Sequence, residues 1–302
     1  MSAKTNPGHD SVLARGWLTA HRWLILRRAS QVGFLGLFLI GPLSGYYLIK
    51  GQISSSLTLD VLPLTDPYIL LQTFAAGHVP EMTAIVGALI VTAVYLLLGG
   101  RTYCSWVCPV NIITDAAHWT RARLGIQGGV KFSNSVRYWM LAMTLGVAFA
   151  TGVLAWELVN PVTMIYRGIV FGAGWFWGVV IALFLFDLLI SERGWCSHLC
   201  PVGAFYGTLG KAAVLRISAV RREDCNDCMD CYAVCPEQQV ISPALKGAKQ
   251  NASPVIHAGA CTNCGRCIDV CALNVFEFGS RFGGPIIANS QSKADLKLKK
   301  VA

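Results

Sequence analysis

Two runs of four cysteines constrain this chain more than any other feature. Residues 225–236 read CNDCMDCYAVCP and residues 261–272 read CTNCGRCIDVCA, so each run has the spacing C-x2-C-x2-C-x3-C. Three thiolates spaced in this way wrap around three corners of one 4Fe–4S cube, and the fourth points away towards a second cube. Structural zinc, the alternative, usually joins two separated cysteine pairs and does not need a doubled run. The spacing therefore predicts two 4Fe–4S clusters that share their ligand runs.

The interlocked spacing also assigns each cysteine to a cluster. The first cluster takes three ligands from the first run and one from the second, namely Cys225, Cys228, Cys231 and Cys271. The second cluster takes the remaining four, namely Cys235, Cys261, Cys264 and Cys267. Segments 213–220 and 274–282 flank the runs and have the composition of strands. We therefore predict a small α+β two-cluster ferredoxin-like domain over residues 212–285, with a polar tail over 286–302.

The rest of the chain is too apolar for an ordinary soluble domain. Of its 302 residues, 54% are hydrophobic and 14% are charged, whereas soluble domains carry about 25% charged residues. The mean hydropathy is +0.51. A helix needs about 20 apolar residues to cross a bilayer, and four segments qualify, at about 30–49, 79–98, 137–157 and 169–190. These segments predict an all-α membrane domain of four helices over residues 30–211.

Lysine and arginine set the predicted orientation of these helices, because basic loops stay on the cytoplasmic side. Residues 1–29 form a basic segment without a cleavable signal peptide, whereas loop 51–78 contains neither Lys nor Arg. Both termini are therefore expected in the cytoplasm. The net charge of +9 follows from this bias, and since the cations form no single stripe, nucleic acid is not an expected partner.

A second cysteine motif occurs twice, each time just after an apolar segment. CSWVCPV covers residues 104–110 and CSHLCPV covers residues 196–202. Repeated helical hairpins build central sites in transporters, and residues four apart share one face of a helix. The repeat can therefore form a further redox or metal site at the cytoplasmic membrane surface, with the ligands Cys104, Cys108, Cys196 and Cys200. A reduced structural cysteine pair, or a turn fixed by the proline, is the alternative.

The order of these motifs resembles the NapH family, the membrane ferredoxin-type proteins of the periplasmic nitrate reductase system. The resemblance covers nearly the whole length, including HRWLILRR, SSSLTLDVLPLTDP, WELVNPV, GWCSHLCPVGAFYG and both ferredoxin runs. It implies a multi-pass protein of the bacterial inner membrane with two 4Fe–4S clusters. It also implies electron transfer from quinol towards the reductase, with a NapG-type periplasmic ferredoxin and a NapC-type multihaem cytochrome as partners. Related NosR-type and CcoG-type proteins carry large extra domains, for which too few residues flank the predicted domains.

Quinol oxidation releases protons, so its site needs proton acceptors beside an apolar pocket. Asp187 lies inside the fourth apolar segment, where an acid is a functional candidate by default and a satisfied hydrogen bond is the alternative. Asp115 and His198 lie beside or within the C-x3-C-P motifs and are further candidates, although ordinary interfacial residues occupy such places too. Asp66, His78 and Glu81 lie at the predicted outer face, where they could release protons, and a role as solvated loop residues is the favoured alternative.

Two functions fit these features. The first is a quinol dehydrogenase subunit that acts only within a complex. The second is a non-catalytic assembly or redox-maintenance factor for a respiratory metalloenzyme, in which the C-x3-C-P cysteines exchange thiols or hold a metal transiently.

Overall fold

A computed structural model describes residues 7–126, 128–130, 132–172 and 174–283. The predicted polar tail, 286–302, lies outside the described residues. The chain forms two compact units. We call one of them the ferredoxin unit, which takes residues 1–23, 214–257 and 265–302. We call the other the helical unit, which takes residues 24–213 and 258–264.

The helices and strands are numbered in chain order. The α-helices are α1 His9–Arg15, α2 Trp17–Ser44, α3 Pro67–Ala75, α4 Met82–Leu98, α5 Thr102–Trp106, α6 Val110–Arg123, α7 Val136–Thr151, α8 Ala155–Val159, α9 Pro161–Phe171, α10 Gly174–Leu185, α11 Pro201–Gly210, α12 Asp230–Val234, α13 Ile241–Lys246 and α14 Arg266–Val270. The strands are β1 Ile49–Gln52, β2 Ser55–Thr58, β3 Leu62–Thr65, β4 Leu215–Ser218 and β5 Glu277–Ser280. Two π-helical turns cover Phe186–Ile190 and Trp195–Leu199, and 3-10 turns cover Arg222–Asp224, Gln238–Val240 and Gly247–Gln250.

Helices occupy all four predicted membrane segments, but among the described residues only α2 is long and apolar enough to cross a bilayer by itself. Helix α2 has 28 residues, whereas α4 has 17 and α7 has 16. Glycine ends both shorter helices, since Gly99 and Gly152 follow them with positive φ angles of 111° and 68°. A four-helix membrane domain is thus not confirmed by helix length.

The helical unit contains a sheet where the sequence predicted only helices. Strands β1, β2 and β3 form an antiparallel meander in which Ile49 pairs with Thr58 and Ser55 pairs with Thr65. The main chain at Pro63 passes α4 at Gly87, where an added Cβ would meet it at 3.0 Å. The all-α prediction is therefore wrong for residues 49–65, whose β-branched residues suit a half-buried strand pair.

The ferredoxin unit has the predicted strands on either side of its cysteine runs. Strands β4 and β5 pair antiparallel, with Ile217 opposite Phe278, so the strand predictions for 213–220 and 274–282 are confirmed. The N-terminal helix α1 belongs to the same unit. Its Ser11 hydroxyl donates to the Asp269 carbonyl oxygen at 2.6 Å, and Arg15 donates to Asn274 Oδ1 at 2.6 Å. Part of the basic N-terminal segment is therefore bound to the ferredoxin unit.

Candidate functional site

The predicted ligands of the first cluster surround one pocket in the ferredoxin unit. The pocket holds about 380 Å³ of empty space, and Cys225, Cys228, Cys231 and Cys271 all line it. Its other walls are mainly apolar, from Tyr232, Leu245, Val270, Leu273, Val275 and Phe276. The structure therefore brings together the four cysteines that the spacing assigned to one cluster.

These thiols need a positively charged partner to be ionised. Burial raises the pKa of Cys231 to about 12, and the nearby Cys271, Cys228 and Cys225 raise it further. Burial likewise raises the pKa of Cys225 and of Cys271. Thiolates are the form that binds metal, and a bound metal removes this cost. The donor set and its surroundings fit an iron–sulfur cluster, for which the Val275 N–H already points at Cys271 Sγ at 3.4 Å.

The two cysteine runs share an unusual backbone conformation. Asp227 and Met229 have φ angles of 58° and 66°, and the residues at the same places in the second run, Asn263 and Gly265, have 48° and 74°. Glycine is required only in the second run, because an added Cβ at Gly265 would lie 2.6 Å from the Trp23 ring. The neighbour that requires glycine at position 265 is therefore the Trp23 ring.

The predicted ligands of the second cluster are divided between the two units. Cys235 and Cys267 belong to the ferredoxin unit, and Cys261 and Cys264 belong to the helical unit. This ligand set stays a prediction.

The four cysteines of the C-x3-C-P motifs line one pocket in the helical unit, which we call the C-x3-C-P pocket. It holds about 580 Å³ of empty space between Cys104, Cys108, Cys196 and Cys200. Burial raises the pKa of Cys108, and the neighbouring Cys104 and Cys200 add to the effect. None of the twelve cysteines forms a disulfide bond. The fold thus assembles the two repeated motifs around a common space.

Four cysteine thiols around one space form a donor set that iron–sulfur clusters use. Within the part of the chain that the structure describes, no group of three or more His, Cys, Asp or Glu side chains is arranged to hold one metal ion.

Four helices begin at the C-x3-C-P pocket. Helices α6 and α11 start directly after the second cysteine of each motif, and Val110 and Val202 from their first turns line the pocket. Helices α3 and α9 start at Asp66 and Asn160, which also line it. The aligned peptide dipoles give every helix N-terminus a partial positive charge. Four such ends favour an anionic group here, and a cluster bound by thiolates is one.

Asp66 and Asn160 perform the same local task in the two halves of the repeat. Asp66 Oδ1 accepts from the Tyr68 N–H at 2.9 Å, and Asn160 Oδ1 accepts from the Val162 N–H at 3.1 Å. Each is followed by a proline, in the sequences LTDP and LVNP, which is a typical start of a helix. This shared signal is present in the sequence, but it did not enter the prediction of the site residues.

The expectation that Asp66 lies at the outer face as a solvated loop residue is wrong. Its N–H donates to the Ser54 carbonyl oxygen at 2.8 Å, and Tyr206 donates its hydroxyl to Asp66 Oδ1 at 3.0 Å. Strand β3 packs along α4, and Ser54 and Asp66, at the ends of neighbouring strands, line the pocket with the cysteines.

Two of the predicted proton acceptors, Asp187 and His198, lie close to the second C-x3-C-P motif in the helical unit. The fully buried Asp187 accepts from the Trp195 N–H at 3.0 Å, so it holds the backbone just before Cys196. His198 packs its ring against Phe132, with centroids 6.2 Å apart. Neither of these two residues lines the C-x3-C-P pocket. Only Oδ1 of Asp187 has this hydrogen bond, and the buried Oδ2 accepts none in the described structure, so a proton role for Asp187 stays a prediction.

Asp115 belongs to a charge cluster outside the C-x3-C-P pocket. It pairs with Arg27 at 2.6 Å, with Arg28, and with Arg193 at 3.7 Å. Burial opposes its charged form, but the three guanidinium groups outweigh burial and hold the pKa of Asp115 below its ordinary value. The carboxylate is therefore committed to the packing of α2 against α6.

Comparison with known proteins agrees with the motif analysis. A family described as "4Fe-4S binding domain" matches twice, at residues 81–127 and 171–219, once around each C-x3-C-P motif. A family described as "4Fe-4S dicluster domain" matches residues 224–275. No solved structure matches.

Several curated proteins match nearly the whole chain. The methylamine utilization ferredoxin-type protein MauN of Paracoccus denitrificans is 51% identical over 90% of this chain and 95% of its own length. The protein of the same name from Methylorubrum extorquens is 50% identical over 90% and 94%. The ferredoxin-type protein NapH of Escherichia coli is 45% identical over 92% and 96%.

Proposed function

The chain belongs to the family of NapH and MauN ferredoxin-type proteins, and on this premise we propose that it is the quinol dehydrogenase subunit of a respiratory electron-transfer complex. Electrons from quinol enter the helical unit and are exchanged with the ferredoxin clusters on the cytoplasmic side. A quinone or a partner protein carries them across the roughly 30 Å of hydrocarbon to a periplasmic redox enzyme. The chain acts as a component of a complex and not as an enzyme on its own.

One contact carries the proposal. Ser105, between the cysteines of the first C-x3-C-P motif, donates its hydroxyl to the Thr262 carbonyl oxygen at 2.7 Å. Trp106 donates its ring N–H to the Asn263 carbonyl oxygen at 3.1 Å. The segment from Cys261 to Cys264 therefore touches the first motif directly. Adjacent sulfur sites of this kind are what a continuous electron path requires.

Two ferredoxin clusters and a third redox group form the proposed path. The first cluster uses Cys225, Cys228, Cys231 and Cys271, and the second uses Cys235, Cys261, Cys264 and Cys267. The third group, a cluster or other metal centre, is held by Cys104, Cys108, Cys196 and Cys200. When bound, these groups supply one-electron oxidation and reduction. The twofold match of a 4Fe–4S binding family around the C-x3-C-P motifs supports the third site.

We place the helical unit in the bacterial inner membrane with several passes and with both termini in the cytoplasm. Large apolar side chains on the shorter helices support this placement, because Leu89, Phe149 and Ile181 are 64%, 80% and 58% exposed. A soluble protein rarely presents such residues together on several helices. The bilayer would cover them.

There are two candidates for the final electron acceptor. As in the NapH system, electrons would pass to a NapG-type periplasmic ferredoxin and a NapC-type multihaem cytochrome, and then to nitrate reductase. The somewhat higher identity to proteins named for methylamine utilization, 51% against 45%, favours a second candidate, electron transfer during growth on methylamine. Deleting the gene and comparing growth on the two substrates separates them.

The proposal is tested by anaerobic mixing of the purified protein, in lipid nanodiscs, with duroquinol. We expect the visible absorption of the oxidised clusters to bleach. The double variant C104S/C196S should bleach with dithionite but not with duroquinol, because its ferredoxin clusters lack an entry point. Absence of bleaching in the wild-type protein, with the partner ferredoxin also present, would refute electron entry from quinol.

The rival function, an assembly or redox-maintenance factor, predicts a different deletion phenotype. Deletion of an electron-delivery subunit abolishes quinol-driven activity of the terminal enzyme and spares its activity with an artificial donor. Deletion of an assembly factor abolishes both activities.

A further inference from the structure

We propose that the C-x3-C-P pocket also binds the head group of a hydroquinone, and that the Asp66 carboxylate accepts the protons of that hydroquinone. This inference rests on the proposed function, which supplies the hydroquinone. It adds the place of binding and the proton acceptor.

The walls of the pocket suit a flat aromatic ligand. Trp156 and Trp195 lie side by side, with ring centroids 6.4 Å apart and ring planes 21° apart, and both line the space. Tyr103 lines it as well and stacks on Tyr206 at 5.2 Å. Ligand pockets are typically apolar with a few polar groups that orient the ligand. Here the polar groups are Ser54, Asp66, Asn160 and Thr163.

The carboxylate of Asp66 is not needed for capping. Asn160 caps α9 in the other half of the repeat with a neutral amide, and its hydrogen bond is as well formed as that of Asp66. A partly buried charge costs free energy that an amide avoids. A function that uses the negative charge explains why the two positions differ.

The surroundings of Asp66 suit proton transfer near neutrality. Burial raises the pKa of Asp66 to about 6, and the hydrogen bonds from the Tyr68 N–H and the Tyr206 hydroxyl act in the opposite direction. The titratable groups around it are Glu157 and the phenols of Tyr68, Tyr95, Tyr103 and Tyr206. The thiols of Cys104, Cys108, Cys196 and Cys200 line the same pocket. A base with a pKa close to the working pH transfers protons most effectively.

The hydroquinone breaks its two O–H bonds and becomes a quinone, losing two electrons and two protons. The electrons pass singly to the iron–sulfur groups of the proposed function, which are the oxidant. Asp66 takes one proton, passes it towards Glu157, and then takes the second. Glu157 lies in the middle of α8, where the Asn160 amide and the Thr163 hydroxyl donate to it at 3.0 and 3.1 Å. It is only half-buried, so it offers the proton a way to solvent.

The test compares Asp66→Asn with Asp60→Asn in nanodiscs. Asparagine at 66 keeps the helix cap but cannot accept a proton, whereas Asp60 is exposed on the same hairpin and pairs with Lys50 at 2.7 Å. We expect D66N to slow cluster reduction by duroquinol by about 10² to 10⁴-fold, the usual contribution of a general base. Reduction by dithionite and the iron content should be unchanged. D60N should behave as the wild type.

A second measurement does not depend on turnover. Infrared difference spectra between pH 5 and pH 8 should show the carbonyl stretch of a protonated carboxylic acid that D66N lacks. Tyr206→Phe removes a hydrogen bond that favours the carboxylate, so it should move this titration to higher pH. The acidic limb of the rate profile with duroquinol should move in the same direction.

The inference is overturned if D66N keeps its iron and is reduced by duroquinol at the wild-type rate. If D66N loses its iron, Y206F becomes the deciding variant. The inference is then overturned if Y206F shows the same infrared titration and the same pH–rate profile as the wild type. Failure of the wild-type protein to accept electrons from duroquinol is a different result, because it removes the proposed function itself.

Discussion

Ser105 donates its hydroxyl to the main-chain oxygen of Thr262 at 2.7 Å, and Ser105 is almost completely buried. Ser105 lies between the two cysteines of the first C-x3-C-P motif, and Thr262 lies between the first two cysteines of the second ferredoxin run. Arg101 strengthens the same contact, since it donates to the carbonyl oxygens of Ala260 and Cys196 at 3.0 and 2.9 Å. Both C-x3-C-P motifs are thus tied to the loop that carries Cys261.

Replacing Ser105 by alanine should weaken this contact. The variant leaves a buried carbonyl oxygen without its hydroxyl donor, which costs about 1–3 kcal/mol. We expect a lower melting temperature and slower electron transfer from duroquinol to the ferredoxin clusters. Ser133→Ala, at an exposed serine, is the matched control. Equal melting temperatures for the two variants would show that the contact is not stabilising.

The iron content distinguishes the roles of the C-x3-C-P cysteines. Two ferredoxin clusters hold about eight iron atoms, and a third cluster raises the total to about ten or twelve. We expect the higher value in anaerobically purified protein, and C104S/C196S should return it to about eight. A wild-type value of eight would assign these cysteines a structural or thiol role.

Gly265 should not tolerate a side chain. Gly265→Ala places a Cβ against the Trp23 ring and forces a left-handed conformation on alanine, which alone costs about 1–2 kcal/mol. We expect loss of melting temperature and of iron from the second ferredoxin cluster. Met229→Ala is the control, because Met229 occupies the equivalent place in the first run and is exposed. Similar iron contents in both variants would contradict the role of the Trp23 contact.

Asp115 should stabilise the protein above acidic pH. Because its pKa is lowered in the folded protein, its contribution is complete above the ordinary carboxyl pKa of about 4 and is lost as the pH falls further. Asp115→Asn leaves three arginines without their carboxylate. Melting temperatures across pH 3 to 7 should therefore differ most from wild type near neutrality and converge in acid. A constant difference would mean that the lost contribution is not electrostatic.

Three of the predicted ligands of the first ferredoxin cluster, Cys225, Cys228 and Cys231, follow from a local property of the sequence, because they lie in one run. The fourth, Cys271, lies in the other run and meets them through tertiary packing. Two- and three-residue gaps dictate which thiols can meet, and the flanking strand composition then closes β4 against β5. The apolar segments were predictable for the same reason, since hydropathy is summed over neighbours. The lengths of the helices were not, because glycines at 99 and 152 end them early.

Only the tertiary structure decided where the polar segments lie and what they contact. Residues 49–66 have the composition of a solvated loop, and nothing in that composition tells a loop in water from a hairpin packed along α4. Asp66 reaches the cysteines only because Gly87 leaves room for the strand beside it. Asp187, a candidate from hydropathy alone, holds the Trp195 backbone. The sequence by itself determined which groups can carry electrons, whereas long-range packing determined which carboxylate lies beside them.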